Sequence, residues 1–226
     1  MKFPDFKNEK EKLEQGFSFI IGCDEVGVSP LAGPVVAAAC IIDPKCIGTY
    51  RSKNKWYYRV RDSKTTNEKE RDILLQEILP NCLAFGLGEV SPEEIDTINI
   101  HHASILAKKK AIEEVLRKIE SKAGESDKFF LFVDGLFGIK NLEHPKFHVE
   151  QKAVVAGDEK ILSISAASII AKVHRDGILK QYEAKFPDYG FAKHKGYNTK
   201  AHRAAILKNG VTDIHRRSFL RNIMAH

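Results

Sequence analysis

The stretch that decides the fold is residues 20–42, IIGCDEVGVSPLAGPVVAAACII. An apolar run ends in two adjacent acids, Asp24 and Glu25. A loop of glycine, serine and proline follows, and a second apolar run returns. The pattern predicts a buried strand, an irregular loop and a second strand. Pro30 and Pro34 hold the irregular backbone in the loop, since neither can donate to a sheet ladder. Side chains alternate in direction along a strand, so the two acids point to opposite sides. Unpaired buried charge is strongly disfavoured. Either a divalent cation or a buried Arg or Lys must therefore neutralise the pair, and this stretch leaves both open.

Downstream, the same arrangement of strand followed by acid recurs. Lys128–Asp134, KFFLFVD, is an apolar strand ending in Asp134. Residues 147–156 predict another strand, with Asp158 just beyond it. Three acidic sites thus lie at the ends of three predicted strands, and in an α/β fold sites form at such ends. Each lone Asp could instead be a turn former or helix cap. The repeated geometry favours a shared site.

Between these strands the chain alternates with helices. Thr66 or Asn67 is positioned to cap a helix running to ILLQEIL. Residues 82–90 predict a strand. Ser91-Pro92-Glu93-Glu94 is a helix start, with proline first and acids in the first turn. Ile105, Ile112, Val115, Leu116 and Ile119 recur at helical spacing. Residues 161–185 predict a helix, within which Asp176, beside Arg175, reads as a surface residue. A last helix runs from about Thr199 to Lys208 and ends at Asn209-Gly210. Residues 1–16 read as a frayed helix or flexible lead-in. His101 and His102 could ligate a metal, but no third ligand has a matching local spacing. Residues 44–61 are basic and aromatic. They suit base stacking, or an amphipathic strand that packs its rings on the core, and the second reading is favoured.

At 226 residues the chain suffices for one substantial core. No apolar run reaches the roughly 18 residues of a membrane span. The first residues lack the apolar segment of a secretory signal, which predicts a cytoplasmic protein. The four cysteines are widely spaced and predict reduced thiols. The net charge of +6 is uneven: from Lys172 onward twelve Lys/Arg face four Asp/Glu. Such a local basic excess is the footprint of a polyanion binder, although a solvated basic surface also produces one.

Four carboxylates brought together would repel one another unless cations bind them. Oxygen donors favour Mg²⁺ or Mn²⁺. Two such ions about 4 Å apart activate water and stabilise the leaving oxygen of a phosphodiester. A basic tail across such a site points to a metal-dependent nuclease.

Five segments carry a resemblance: the 20–42 stretch, RDSKTTNEKER at 61–71, FVDG at 132–135, AGDEKILSISAASIIAKVHRD at 156–176, and YGFAKHKGYNTKAH with HRRSF between 189 and 219. In this order they resemble the ribonuclease HII group of type 2 ribonucleases H. The resemblance implies an α/β fold: a ribonuclease H-like mixed β-sheet flanked by helices, with a helical C-terminal extension. The expected divisions are a lead-in at 1–18, a catalytic domain at 19–186 and a basic substrate-binding extension at 187–226.

It further implies an endonuclease that cuts the RNA strand of RNA–DNA hybrids and ribonucleotides embedded in duplex DNA, leaving 5′-phosphate and 3′-hydroxyl ends. Asp24, Glu25, Asp134 and Asp158 take the positions of the family's metal-binding acids. Tyr197 takes the place of the tyrosine that reads the ribose and the adjacent deoxynucleotide, and Lys64 that of a phosphate contact. Lys172, Arg175, Lys193 and Lys195 are further candidate backbone contacts. A monomer is expected. Where the family has Gly-Arg-Gly to grip the 2′-hydroxyl, this chain has Gly27-Val28-Ser29. If Ser29 cannot adopt the required backbone angles, recognition weakens. The alternative is then a hybrid-binding protein with impaired cleavage.

Overall fold

The acid pair of the 20–42 stretch is carried by β1 (Phe19–Val26), and the returning run forms β2 (Val35–Ile42). With β3 (Cys82–Val90), β4 (Lys128–Asp134) and β5 (His148–Val154) they make a mixed sheet of order β3-β2-β1-β4-β5. β1 is antiparallel to β2 and parallel to β4, and β4 is parallel to β5. The structure is a computed structural model describing residues 4–48, 55–60, 63, 66–142 and 144–224, without the side chains of Asn222 and Met224.

Among the described residues the helices are α1 (Lys7–Glu14), α2 (Glu68–Ile78), α3 (Pro92–Ile119), α4 (Leu162–Lys185), α5 (Phe191–His194), α6 (Lys200–Asn209) and α7 (Arg221–Met224). α3 covers one face of the sheet, and α4 with α2 covers the other. Val35, Ala37, Ala39 and Ile41 pack on the α3 side, and Val36, Ala38, Cys40 and Ile42 on the α4 side. A strand buried on both faces reads as a continuous apolar run, which is why residues 35–42 show no polar alternation.

The helix starts follow from local chemistry. Asn67 caps α2 by accepting from the Glu70 N–H. Ser91 and Glu94 form a reciprocal capping box on α3. α3 is interrupted at Asn99, with φ 63° and ψ 165°, so the two helical runs read in the sequence meet there at a break. α4 has no side-chain cap on Ile161. Instead Glu9, reaching across from α1, accepts from the Ser163 N–H at 2.8 Å.

That contact corrects the reading of residues 1–16 as frayed or flexible. α1 is docked, and Glu9 is fully buried. Asp176, expected at the surface, is buried as well. It lies 3.4 Å from Arg71 and 2.7 Å from Lys172. α4 is enclosed by the sheet, α2 and the C-terminal region, so it has little wet face. Within 44–61, Trp56–Tyr58 form a single 3₁₀ turn rather than a strand, and Trp56 and Tyr57 are buried on the core. Residues 49–54, 61 and 62 lie outside the described part. The C-terminal region shares a core with the loop after β1: Leu31 and Ala32 pack with Leu179, Phe191, Ile206 and Ile214. No helix of the described residues is long and apolar enough to cross a membrane.

Candidate active site

The register of the sheet assembles the acids. Cys23 of β1 pairs with Val133 of β4, which sets Asp24 beside Asp134 at the ends of two parallel strands. Carboxylate oxygens of Asp24, Glu25 and Asp134 lie within 4.8 Å of one another. β5 ends level with Asp134 and leads to a 3₁₀ turn, Gly157–Glu159, that buries Asp158. Asp134 accepts from the Gly157 N–H at 2.6 Å, which ties this turn to the strand end. Asp158 lies outside the tight group of three, but close enough for its charge to act on Asp24.

The two acids on β1 do face opposite sides. Glu25 turns to α3, where the Ser104 hydroxyl donates to it at 2.8 Å and the Lys108 ammonium lies 2.6 Å away. Lys108 also donates to the Asp134 carbonyl at 2.8 Å. Burial disfavours the Lys108 charge, but Glu25 and the neighbouring Cys23 and Asp24 outweigh burial and hold the ammonium above its usual range. Asp24 turns to α4 and accepts from Ser168, whose hydroxyl is 2.9 Å from that of Ser63. Burial, then Glu25 and Asp134, push the Asp24 carboxyl well above the ordinary carboxylate range. One of the two means of neutralisation left open by the sequence is in place. Glu25 has a lysine. Among the described residues neither Asp24 nor Asp134 has a Lys or Arg ion pair. An all-oxygen donor set crowded enough to resist its own ionisation fits a hard divalent cation. This group contains neither His101 nor His102.

Beside the acids runs the loop of residues 27–34, built around two buried guanidinium groups. Arg216 donates to the carbonyls of Gly27, Val28 and Gly33. Arg175 donates to those of Ala32, Pro34 and Lys195. Burial, then the charge of Arg175, lower Arg216 to about 9. Gly27 sits at φ +89°, and a β-carbon there would lie 2.3 Å from the Arg175 Nε. Val28 and Ser29 are exposed and stand outside the positive-φ region, so neither needs the freedom of glycine. The Gly196 carbonyl accepts from the Leu31 N–H at 2.8 Å, which fixes the half-exposed Tyr197 near the loop.

Three of the expected backbone contacts are corrected. Arg175 is fully buried and holds carbonyls. Lys172 is turned inward onto Asp176. Lys195 is buried, with its ammonium 3.5 Å from Glu68. Only tertiary packing shows that these positions face inward. Lys193 is exposed as expected, and Lys64 lies outside the described residues. Sequence reasoning missed Lys108, Ser104, Ser168 and Arg216. Two of these had a signal, Arg216 in the HRRSF segment and Ser168 in the 156–176 segment.

The family model described as Ribonuclease HII matches residues 21–222. The chain belongs to the ribonuclease HII family. A ribonuclease HII of Caldanaerobacter subterraneus is 42% identical over 216 residues, covering 96% of this chain and 80% of that protein. Ribonuclease H2 of Pyrococcus horikoshii superposes with a TM-score of 0.65 at 23% identity, covering 92% of this chain and 97% of that one. A Bst ribonuclease HIII in complex with Mn²⁺ does so with a TM-score of 0.64 at 17% identity, covering 92% of this chain and 69% of that one. Membership of the ribonuclease HII family makes this chain a ribonuclease H, an endonucleolytic hydrolase, on a mixed sheet flanked by helices.

Proposed function

We propose that the chain hydrolyses the RNA strand of RNA–DNA hybrids, and cuts at single ribonucleotides embedded in duplex DNA. The observation that carries this reading is the convergence of Asp24, Glu25 and Asp134, with Asp158 beside them, on one sheet edge next to the 27–34 loop. The four acids hold two divalent ions, Mg²⁺ or Mn²⁺. Bound there, such ions supply an activated water and stabilise the leaving oxygen. The bond broken is that between phosphorus and the 3′-oxygen, so the products carry a 5′-phosphate and a 3′-hydroxyl.

Lys108 and Ser104 hold the Glu25 side chain in place, and Ser168 holds that of Asp24. The Gly27-Val28-Ser29 loop, exposed at Val28 and Ser29, and Tyr197 read the 2′-hydroxyl, with the two buried arginines making the loop electropositive from beneath. Lys193 and Lys64 contact phosphates, and the extension 187–226 completes the substrate groove. The reading takes the protein to be a cytoplasmic monomer. The unstrained backbone at Ser29 supports retained recognition over the alternative of a binding protein with impaired cleavage.

The test uses two blocked-end duplexes, one with a single internal ribonucleotide and one with a longer RNA run, in Mg²⁺ and in Mn²⁺. Wild type cuts both and Asp134→Asn cuts neither. Cutting of the longer run alone would reject single-ribonucleotide recognition. Binding without cutting in either metal would reject the nuclease.

A further inference from the structure

Beneath Tyr197 lies a stack of three imidazoles that the active site described above does not use. His202 of α6 and His215 are buried, and the His194 ring lies on His202 with centroids 4.3 Å apart. Their nitrogens form a chain with fixed ends. At one end the Thr212 N–H points at His215 Nδ1, 3.0 Å away. That nitrogen must accept, so the His215 proton is on Nε2. His215 Nε2 is 3.1 Å from His202 Nε2, which must therefore accept in turn. The His202 proton is then on Nδ1, 3.0 Å from the Tyr197 carbonyl, to which it donates. One backbone donor and one backbone acceptor thus allow a single tautomer at each ring. The Thr212 hydroxyl, 2.8 Å from His215 Nδ1, donates to the same nitrogen.

The chain connects the two parts of the ribose-reading surface. His215 bridges to Ala32 in the loop and precedes Arg216, which holds the Gly27 and Val28 carbonyls. At the other end is Tyr197, whose carbonyl also accepts from the Thr199 N–H. We propose that His202 and His215 are positioning residues for substrate recognition, a neutral and directional pair that sets Tyr197 against the Gly27–Ser29 backbone. This rests on the reading of Tyr197 as the ribose contact. Burial keeps both rings neutral by lowering them to about 4. The titratable and charged groups around them are His194 on α5, Tyr189 before it, and Asp213 and Arg216 on the flanking segment. A second proton would set N–H against N–H, at the Nε2–Nε2 contact for His202 and against the Thr212 N–H for His215.

The decisive experiment is a double-mutant cycle on a duplex with one embedded ribonucleotide, accompanied by ¹⁵N correlation spectra of the imidazoles. His202→Phe keeps an aromatic ring and removes the donor. It should lower kcat/KM about tenfold in the wild-type background and less than about twofold when Tyr197→Ala is already present. His202→Asn, whose amide can occupy the place of Nδ1, should recover most of the loss. The spectra of the wild type should show His202 protonated on Nδ1 and His215 on Nε2, a result that holds even where a variant fails to fold. Equal losses in both backgrounds, or both rings protonated on Nε2, would overturn the positioning role while leaving the Tyr197 reading intact. A Tyr197→Ala enzyme as active as wild type would instead overturn the ribose reading, and the positioning role with it.

Discussion

Asp24 shows the conflict between stability and function at a single residue. Its carboxylate is buried and faces Glu25, Asp134 and Asp158, so in the absence of bound cations its charge is a strain on the fold. Asp24→Asn removes that charge while keeping the shape and the acceptor for Ser168. Without divalent ions the variant should be more stable than wild type by about 1–3 kcal/mol, read as a higher Tm, and turnover should be lost. Equal Tm values would show that the Asp24 charge is solvated or paired in solution. Glu25 differs because Lys108 and Ser104 already satisfy it. The same residue type, one position along a strand, meets a different environment because the pleat sends it to the other face.

At the scale of elements, the seating of α4 decides where Ser168 and Asp158 lie. Gly22 of β1 lets α4 approach, since a β-carbon there would be 2.2 Å from the Ser163 carbonyl carbon. Gly22→Ala must push the helix off the sheet, and should cost at least ~3 kcal/mol in denaturant melts. α1 holds the other end of the contact through Glu9. Burial, only partly offset by the Ser163 N–H, raises the Glu9 carboxyl to about 7. An acid raised in this way keeps a proton that the unfolded chain releases between about pH 4.5 and 7, so stability falls as pH rises through that window. Glu9→Gln should raise stability by roughly 1–3 kcal/mol at pH 8 and leave it nearly unchanged near pH 4.5. A variant no more stable than wild type at pH 8 would mean that the carboxylate is solvated there.

Across the whole molecule, the C-terminal region and the loop after β1 form one unit. Among the described residues Arg216 donates to carbonyls of the loop, Arg175 to carbonyls of the loop and of Lys195, and Leu31, Ala32, Phe191 and Ile214 share a core. The buried imidazoles give this unit an acid limit. His202 and His215 fall from 6.5 to about 4 in the folded chain. The unfolded chain takes up protons over that interval that the folded chain refuses, so stability falls as pH falls. The slope should approach roughly 1.4 kcal/mol per pH unit for each ring. Urea melts from pH 7 to 4.5 measure it, and His215→Phe should flatten the slope at the expense of stability at pH 7.

The sequence by itself determined the strand–loop–strand at 20–42, the alternation of strands and helices, and the placing of Asp24, Asp134 and Asp158 at or just beyond strand ends. Apolar period, glycine, proline and caps are local signals, and the acids stand at strand ends where the pattern breaks. Tertiary structure alone decided which charges are buried. Arg175, Lys172 and Asp176 read as a solvated helix face, yet α2, the sheet and the C-terminal region enclose that face. Lys108 lies in a run of three lysines, and only the crossing of α3 over β1 picks it out as the partner of Glu25. The docking of α1 depends on a partner far away in the chain, Ser163 of α4. Spacing along a sequence records the neighbours of a residue within its own element, whereas burial and pairing are set by whatever other element packs against it.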